Sequence, residues 1–511
     1  MTTKLDYGST DLGDAELDAR FEAALAEARE GSAVLPHVIG GAADGRGETF
    51  VREDPCAPGT VVSTARTADA AVVADAVAAA RAATRGWRTT SPADRIAALR
   101  QAKAGFTERA AELAGVVSAE TGKTRLEALA EAQEAADLVE HYCAEMERNG
   151  GFVTPLRSAP GEHNTDVLRP FGVFAVIAPF NFPVALAVNM AAAALVTGNT
   201  VVAKPSDKTP RSTALAWEVL GAALPAGALN VVHGGAGTGR ELAGAAVDGI
   251  AFTGSAAVGW QLVRELGQGA WARPVLAEMG GSNPAIVTAT ADLDDAANGI
   301  ARSAFGLSGQ KCSACRRVVV DRSVADELVA KLVAAAEAIV VGDPADPRTG
   351  MGPVADDAVA RRIDDALTAA ARDGRVVTGG RADELPGNTY RPVVVTDLPL
   401  GHPLTREELF APFVTVTAVD GFDAAIAEAN AVDYGLSAGV YTGDEEEKAR
   451  FLDEIEAGVV YVNRRAGATT GAWPGIQSFC GWKASGSSGK GGLGPWYLPG
   501  FMREQSRTVA G

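Results

Sequence analysis

Cysteine is scarce in this sequence. The five cysteines stand at widely spaced positions, 56, 143, 312, 315 and 480, and an odd, scattered set does not form a disulfide framework for 511 residues. We therefore expect a reducing, cytoplasmic environment. Histidine is equally rare, and Cys312 and Cys315 have no second cysteine pair to complete a zinc site. No bound metal is expected, and the position of this pair between a helix and a strand also disfavours a thioredoxin-like redox couple.

Long apolar runs are missing too. The most apolar stretch, 173–196, is interrupted by Pro179, Asn181, Pro183 and Asn189, which are costly in lipid. Residues 1–10 lack a basic segment followed by an apolar one, so no signal peptide is predicted. The formal net charge of -18 disfavours nucleic acid and anionic membranes as general partners. A small molecule bound at a local site is the expected partner.

Length and patterning predict at least two domains, because 511 residues exceed what one hydrophobic core supports. Apolar strand-like runs are predicted at 172–178, 200–203, 228–232, 249–252 and 275–277. Helical runs alternate with them at 184–196, 211–223, 239–246 and 256–265. This alternation is typical of right-handed βαβ crossovers and of a doubly wound parallel sheet, in which ligands bind at the carboxyl ends of the strands.

Other elements flank this predicted sheet. Helices are expected at 14–29, 67–85, 92–120 and 127–147, with Ser91 as an N-cap and Pro92 at the first helical position. A second α/β series is expected from residue 285, with strands near Val318, Val376, Val393, Thr415, Gly439 and Val459. The fold class is therefore α/β.

A candidate nucleophile lies in the polar turn Gly309-Gln310-Lys311-Cys312-Ser313, ahead of an apolar strand. A thiol at the mouth of a Gly/Ser turn is reachable by substrate, and a nearby cation such as Lys311 would stabilise its reactive thiolate. Packing in a core is the more common role of a cysteine. Support for Cys312 must therefore come from other residues.

Two strand ends are candidates for phosphate or ribose binding. At Gly254-Ser255 a strand stops and a helix starts, so free N–H groups and the positive helix end suit a pyrophosphate; a simple N-cap serine is the alternative. Lys204 ends another strand and either reaches the ligand crevice or is solvated. The GxGxxG pattern at 489–494 has no preceding strand, and we interpret it as a flexible loop.

Acid–base and oxyanion groups are also predicted. Glu278 follows an apolar strand and precedes Gly280-Gly281, so partial desolvation would raise its pKa towards that of a general base. A solvent-facing strand-end glutamate is the alternative. Asn181 lies in a turn fixed by two prolines, where its amide can stabilise an oxyanion or satisfy its own backbone.

The chain resembles the aldehyde dehydrogenase superfamily from about residue 40 to its end, because six segments match motifs of that superfamily in the same order. The matching segments are 179–183, Lys204-Pro205-Ser206, Phe252-Thr253-Gly254-Ser255, Glu278-Met279-Gly280-Gly281, Gly309-Gln310-Lys311-Cys312 and Glu407-Glu408-Leu409-Phe410-Ala411-Pro412. The resemblance implies an NAD-binding domain (1–153 and 171–279), a catalytic domain (280–480) and a small β oligomerisation extension (154–170 and 495–511). It also implies a homodimer or a larger homo-oligomer.

The resemblance assigns roles to individual residues. Cys312 attacks the aldehyde, Asn181 holds the oxyanion and Glu278 activates the water that hydrolyses the thioester. The implied cofactor residues are Phe180, Lys204, Ser206, Asp207, Gly254, Ser255, Gly259, Met279, Glu408 and Phe410. Asp207, an acid near the expected adenosine ribose, favours NAD, with NADP as the alternative.

A narrower resemblance links the nucleophile turn and the segment 463–490 to the 1-pyrroline-5-carboxylate dehydrogenases, enzymes of proline catabolism that oxidise L-glutamate γ-semialdehyde. In that branch a small-residue loop holds the carboxylate of the amino acid, here implying Ser313, Gly471, Ala472 and Phe479. Gln477-Ser478-Phe479-Cys480-Gly481 departs from the usual Gln-Pro-Phe-Gly-Gly of the branch. Another semialdehyde, or an aromatic or aliphatic aldehyde, is therefore the alternative substrate.

Two other functions are weighed against this hydrolytic dehydrogenase. A coenzyme-A-acylating enzyme is disfavoured because Glu278 indicates water as the acyl acceptor. A catalytically silent dinucleotide-binding protein is disfavoured because Cys312, Glu278 and Asn181 are all present.

Overall fold

A computed structural model describes residues 14–511. The prediction that residues 1–10 carry no signal peptide lies outside this range, as does the part of the first predicted domain before residue 14. The α-helices are α1 (Ala15–Arg29), α2 (Ala70–Thr89), α3 (Pro92–Glu108), α4 (Ala110–Thr121), α5 (Arg125–Arg148), α6 (Ala185–Val196), α7 (Pro210–Gly221), α8 (Ala236–Gly244), α9 (Ala256–Leu266), α10 (Leu293–Phe305), α11 (Ala325–Glu337), α12 (Asp357–Asp373), α13 (Gly421–Asn430) and α14 (Glu445–Glu454).

The strands form two large sheets and three small ones. They are β1 (His37–Ile39), β2 (Ala42–Asp44), β3 (Thr49–Glu53), β4 (Val61–Arg66), β5 (Val153–Pro155), β6 (Glu162–Pro170), β7 (Val173–Ile177), β8 (Thr200–Lys204), β9 (Leu229–Val231), β10 (Gly249–Gly254), β11 (Val275–Met279), β12 (Asn283–Val287), β13 (Cys315–Asp321), β14 (Arg375–Arg381), β15 (Tyr390–Thr396), β16 (Phe413–Val419), β17 (Tyr434–Gly435), β18 (Ser437–Tyr441), β19 (Val459–Val462), β20 (Trp482–Lys483) and β21 (Met502–Ala510).

The first large sheet has the order β11-β10-β7-β8-β9-β1-β2. The first five strands in this order are parallel to one another. Alternate residues of β7 face opposite cores. Phe174 and Val176 pack with α3, α5 and α6, whereas Val173, Ala175 and Ile177 pack with α2, α8 and α9. Burial on both faces explains the continuous apolar runs of these strands. The predicted doubly wound parallel sheet is confirmed.

The second large sheet has the order β14-β15-β16-β13-β12-β18-β19. The six strands predicted near 318, 376, 393, 415, 439 and 459 all belong to it, and β12 completes it. Only the edge strand β14 runs antiparallel to its neighbour among the strands of this sheet. The nucleophile turn lies just before β13, in the middle of the sheet.

Several local predictions were wrong in detail. The helix predicted over 92–120 is interrupted at Arg109, whose φ of -95° and ψ of 14° end α3 before α4 begins. Helix α8 begins at Ala236, three residues before the prediction. The antiparallel strands β1 and β2, which extend the first sheet, were not predicted. The predicted cap of α3 is confirmed, because Ser91 Oγ accepts a hydrogen bond from Asp94 N at 3.1 Å.

A three-stranded antiparallel sheet stands apart from both large sheets. Strand β21 pairs with β6 along nine residues, from Met502 opposite Pro170 to Ala510 opposite Glu162, and β5 pairs with the other edge of β6. Most of β21 is exposed. Among residues 14–511, no helix combines the length and the apolar character needed to cross a membrane.

Candidate active site

The strand register of the first sheet brings four predicted site residues to one edge. Ile177 lies opposite Lys204, and Thr253 lies opposite Glu278. Because these strands are parallel, the turns after β7, β8, β10 and β11 leave from the same edge. Asn181, Lys204, Ser255 and Glu278 are carried at those ends. The four residues therefore lie along one crevice at this edge of the sheet.

The backbone before the nucleophile is held in an uncommon conformation. Leu307, Ser308 and Gly309 have successive φ values of 49°, 51° and 65°. Such a run is strained for residues other than glycine and persists only where the surroundings enforce it. Ser308 Oγ donates to Gly352 O at 2.6 Å, and a Cβ at residue 309 would lie 2.0 Å from Ala411 O. The turn therefore depends on glycine at this position.

Three side chains hold the backbone on either side of Cys312. Asn283 Nδ2 donates to Cys312 O at 2.7 Å and to Ala314 O at 2.9 Å. The buried guanidinium of Arg316 donates to the carbonyls of residues 309 and 411. Asn181 Nδ2 donates to Gln310 O at 3.0 Å. The predicted oxyanion residue and the predicted nucleophile, which are far apart in the sequence, are thus brought together.

Cys312 is half-buried in this turn. Burial, followed by the negative charges of Glu408 and Glu278, raises the pKa of its thiol to about 12. The expectation that Lys311 stabilises the thiolate is not supported. The Lys311 ammonium is directed to Glu127, with a Nζ–Oε1 distance of 3.1 Å, and the pKa of Cys312 moves in the opposite direction.

Glu278 is buried, with 8% of its surface exposed. Burial raises the pKa of its carboxyl well above the usual value, as predicted for a general base. Its Oε2 has no hydrogen-bond partner among the described residues. Burial without donors disfavours the charged form of this carboxyl, and its unpaired oxygen can accept a hydrogen bond from whatever enters the cavity.

One cavity is lined by two of the three predicted catalytic residues and by all four predicted substrate-binding residues, whereas Asn181 is not part of its lining. Cys312, Glu278 and the cofactor candidate Met279 line it, together with all four predicted substrate residues, Ser313, Gly471, Ala472 and Phe479. The rest of its lining includes Glu134, Leu138, Phe182, Leu186, Asn189, Arg302, Lys311, Thr470 and Leu493. The cavity is therefore largely apolar, and its lining also contains acidic and basic side chains.

The small-residue loop is fixed by a partly buried arginine and by α10. Gly471 has φ +124°, and a Cβ there would lie 2.3 Å from Arg464 Nη2. Arg464 Nη1 donates to Thr470 O at 2.5 Å. Thr469 Oγ1 donates to Ser313 O at 2.7 Å, and Thr469 N donates to Ser303 Oγ at 3.1 Å. The loop is thereby tied to the residue that follows the nucleophile.

The predicted cofactor residues Lys204, Ser206 and Asp207 follow β8. Lys204 is buried, and its Nζ donates to Pro205 O at 2.8 Å and Gly234 O at 3.1 Å. Burial lowers its pKa to about 8, so it is not a solvated lysine. Ser206 Oγ accepts from Lys208 N at 3.2 Å, and Asp207 is exposed beside it.

The end of β10 has an exposed helix start. Ser255 Oγ accepts from Val258 N at 3.4 Å, so Ser255 does cap α9. The other N–H groups of the first turn have no partner within the helix. Gly254 and Gly259 leave no room for a side chain, because a Cβ at residue 254 would lie 2.5 Å from the Phe252 ring and one at residue 259 would lie 2.3 Å from Met279 Sδ.

Glu408, Phe410 and Phe180 lie where the two large sheets meet. Glu408 Oε1 accepts from Gly281 N at 3.1 Å, and burial raises the pKa of this carboxyl. The rings of Phe180 and Phe410 have centroids 6.0 Å apart. Phe410 has φ +56°. These three residues are thus close to the β11 end that carries Glu278.

The GxGxxG segment 489–494 was wrongly interpreted as a flexible loop. Gly491, Gly492 and Leu493 are buried, and Phe479 N donates to Gly492 O at 2.9 Å. A Cβ at residue 491 would lie 2.2 Å from Glu278 Oε1. These glycines permit close packing around the active site and do not begin a helix.

Sequence reasoning missed the residues that brace the site from a distance, Asn283, Arg316 and Tyr142. One signal was present, since Arg316-Arg317 stands at the start of an otherwise apolar strand, and buried arginine requires partners. The hydrogen-bond partners of Tyr142 are 47 and 351 positions away, so no local pattern could reveal them.

Comparison with known proteins agrees with this geometry. The aldehyde dehydrogenase family profile matches residues 42–506. A 1-pyrroline-5-carboxylate dehydrogenase of Geobacillus sp. (strain WCH70) is 36% identical over 486 residues, which are 93% of this chain and 92% of that protein. The structure of 1-pyrroline-5-carboxylate dehydrogenase from Thermus with bound NAD has a TM-score of 0.93 at 33% identity, covering 97% of each chain. For a lactaldehyde dehydrogenase structure the TM-score is 0.87 at 31% identity, covering 94% of this chain and 99% of that one.

The profile covers most of the chain, and the relatives match it nearly end to end. The resemblance inferred from the motifs is confirmed: the chain belongs to the aldehyde dehydrogenase family.

Proposed function

We propose that the chain oxidises L-glutamate γ-semialdehyde to glutamate, with NAD as the hydride acceptor. One observation carries the proposal: a single cavity is lined by the thiol of Cys312, the buried carboxyl of Glu278 and the small-residue loop at Gly471 and Ala472. The Geobacillus and Thermus relatives are named for this activity, and the Thermus structure has bound NAD.

The first chemical step forms a bond between Cys312 Sγ and the aldehyde carbon. The raised pKa of the thiol means that its proton must leave for solvent as the sulfur attacks, while the electron pair of the C=O bond moves to the oxygen. The developing oxyanion is stabilised by the backbone N–H of Cys312 and by Asn181, whose Nδ2 has a second hydrogen besides the one donated to Gln310 O. When bound, NAD supplies the hydride acceptor that converts the thiohemiacetal into a thioester.

The second step is hydrolysis of the thioester. A water molecule attacks the carbonyl carbon while Glu278 takes its proton, and the C–S bond breaks to release the carboxylate product. A carboxyl with a raised pKa suits this task, because a base must hold the transferred proton. The apolar lining limits access of other water to the thioester.

The cofactor fits the crevice at the strand ends. Ser255 and the free N–H groups of α9 would hold the pyrophosphate, because a helix N-terminus attracts anions. Lys204 and Glu408 would hold ribose hydroxyls, and Phe180, Ser206, Gly254, Gly259, Met279 and Phe410 complete the proposed site. Asp207 is exposed beside it and would repel a 2′-phosphate, which favours NAD over NADP.

The carboxylate of the substrate would bind to the backbone N–H groups of Gly471 and Ala472 and to the hydroxyl of Ser313. Successive N–H groups of small residues form a concave anion site. Phe479 and Phe182 line the same cavity and would pack against the carbon chain. The resulting site would accept an aldehyde that carries a carboxylate at its far end.

The proposal also covers domains, assembly and location. NAD binding is assigned to 1–153 and 171–279, catalysis to 280–480, and homo-oligomer formation to 154–170 and 495–511. A cytoplasmic location is supported by the five cysteines, which are all free thiols.

The test is NAD reduction by the purified protein with four aldehydes: glutamate semialdehyde in equilibrium with pyrroline-5-carboxylate, succinate semialdehyde, a plain aliphatic aldehyde and benzaldehyde. We expect a clear preference for the first in kcat/KM. Gly471→Val should abolish this preference because the added side chain would collide with Arg464. A flat profile, or preference for an uncharged aldehyde, would contradict the assigned substrate.

A matched pair of cysteine variants tests the nucleophile. Cys312→Ala should lose aldehyde oxidation, whereas Cys315→Ala, at a buried position on β13, should retain it. Full activity in Cys312→Ala would contradict the proposed mechanism. Product analysis with and without coenzyme A checks that water is the acyl acceptor.

A further inference from the structure

A buried chain of hydrogen bonds ends in the active-site cavity. Tyr142 on α5 is completely buried, and its oxygen accepts from Leu493 N at 3.2 Å. The hydroxyl of Tyr142 is in turn bonded to Oδ1 of Asn189 on α6. Asn189 is only 4% exposed, and it lines the cavity that contains Cys312 and Glu278.

Counting protons fixes the orientation of the Asn189 amide. A phenol has a single proton, and the oxygen of Tyr142 already accepts from a backbone N–H, so the phenol proton is available for Asn189 Oδ1. Burial raises the pKa of Tyr142, so the phenol keeps this proton. The reverse orientation of the amide would direct two donors at one hydroxyl. The amide nitrogen is therefore turned away from Tyr142.

Asn189 and Glu278 lie against neighbouring glycines of one loop. A Cβ at residue 491 would lie 2.2 Å from Glu278 Oε1, and a Cβ at residue 492 would lie 2.7 Å from both Nδ2 and Oδ1 of Asn189. A hydrogen-bond donor of fixed orientation thus lines the same cavity as a carboxyl whose Oε2 lacks a partner in the described part of the chain. A cavity with these two groups suits a water molecule that donates to one and accepts from the other.

We propose that Asn189 is a further catalytic residue, which donates a hydrogen bond to the oxygen of the water that Glu278 activates, and that Tyr142 is the positioning residue that orients it. This inference rests on the proposed function. The water oxygen bonds to the thioester carbon, its proton passes to Glu278, and the C–S bond breaks to release the Cys312 thiolate. Asn189 transfers nothing. With one lone pair of the water engaged by the amide, the other is aimed at the carbon.

The test separates acylation from hydrolysis by rapid mixing of enzyme, NAD and glutamate semialdehyde. Asn189→Leu keeps the approximate volume and loses the donor. We expect a rapid burst of one NADH per site at the wild-type rate, followed by steady turnover about tenfold slower, since one hydrogen bond is lost from the hydrolytic step. The acylated Cys312 should accumulate and be detectable by mass spectrometry.

Tyr142→Phe and Tyr497→Phe form a matched pair. Tyr497 is also buried, its ring centroid lies 5.9 Å from that of Tyr142, and its hydroxyl has no partner among the described residues. Tyr142→Phe should slow hydrolysis in the same way as Asn189→Leu, but less. Tyr497→Phe should behave as wild type. If Asn189→Leu does not fold, the Tyr142 pair decides the question.

A pH profile distinguishes this role from a structural one. Loss of the donor weakens hydration of the Glu278 carboxylate, so the acidic limb of steady-state turnover should move to higher pH in Asn189→Leu. Burst and steady rates that fall together with an unmoved limb, or rates equal to those of wild type, would overturn the assignment of Asn189. Failure of the wild type to form any NADH would instead overturn the proposed function.

Discussion

The environment of Cys312 shows how tertiary contacts outweigh sequence neighbours at the scale of one residue. Lys311 adjoins the thiol in the sequence, yet its ammonium lies 3.1 Å from Glu127 Oε1. The pKa of the thiol is raised most by its own burial and then by the carboxyls of Glu408 and Glu278, which come from other segments. All three favour the neutral thiol. The fold therefore disfavours the thiolate despite the neighbouring lysine.

Alkylation of Cys312 in the cofactor-free enzyme tests this arrangement. A thiol whose pKa is raised to about 12 is protonated below that pH, so its thiolate fraction rises tenfold with each pH unit. The rate of iodoacetamide modification at Cys312, followed by peptide mass spectrometry, should increase about tenfold per unit from pH 7 to 10. A plateau by pH 8 would show that a cation stabilises the thiolate after all. Cys312→Ala identifies the modified peptide.

Asp207 provides a second prediction for a single side chain. Its carboxylate is exposed after β8 and would oppose the 2′-phosphate of NADP by charge repulsion. Asp207→Ser should raise kcat/KM for NADP relative to NAD at least about tenfold, which corresponds to about 1.4 kcal/mol. Asp326→Ser, which removes another exposed acid, on α11, should leave the ratio unchanged. An unchanged ratio in Asp207→Ser would place the adenosine ribose elsewhere.

At the scale of elements, a buried ion pair joins α5 to the turn that carries Asn181. Lys123 and Glu131 are both fully buried and bonded to each other. Glu131 Oε1 accepts from Val184 N at 2.8 Å and Ala185 N at 3.1 Å, at the start of α6. The Lys123 ammonium lies 3.7 Å from the centroid of the Phe182 ring. Both helix and turn therefore depend on the charges of one pair.

Removing one partner of this pair should be more harmful than removing both charges. Lys123→Met leaves Glu131 as an uncompensated buried charge and should lower the free energy of unfolding by about 3–5 kcal/mol. Lys123→Met/Glu131→Gln should recover part of this loss, because a glutamine oxygen still accepts from the α6 backbone. Urea unfolding at one protein concentration measures both. A double variant less stable than Lys123→Met would refute this account.

The elements also show how far local sequence carries a prediction. The strands β7, β8, β10 and β11 were predictable because burial on both faces requires continuous apolar runs. The strands β1 and β2 were not, since strands of three residues are too short to show a periodicity. The residues of the site likewise divide into those that a local motif predicts and those that it does not. Motifs at strand ends identified Cys312 and Glu278, whereas Asn283 depends on contacts that only the folded chain creates.

At the scale of the whole molecule, the sheet of β5, β6 and β21 lacks a core of its own. Most residues of β21 are exposed, and so are Val153, Leu156 and Val509. A small sheet without a covered hydrophobic face is marginally stable in water, and the open edge of β21 offers unpaired backbone groups to another chain. These features favour burial of the sheet against a second copy, as proposed for 154–170 and 495–511.

Deletion of 503–511 tests whether this sheet drives assembly. The full chain should give a mass by light scattering of at least twice the 52.3 kDa of one chain. The shortened chain should give the mass of a single chain, because β6 loses its nine-residue partner and the sheet can no longer present an edge. Unchanged far-UV circular dichroism and retained NAD binding would show that both large sheets remain folded. A shortened chain that still assembles would mean that subunits meet through another surface, and the exposed strands of this sheet would then need a different partner.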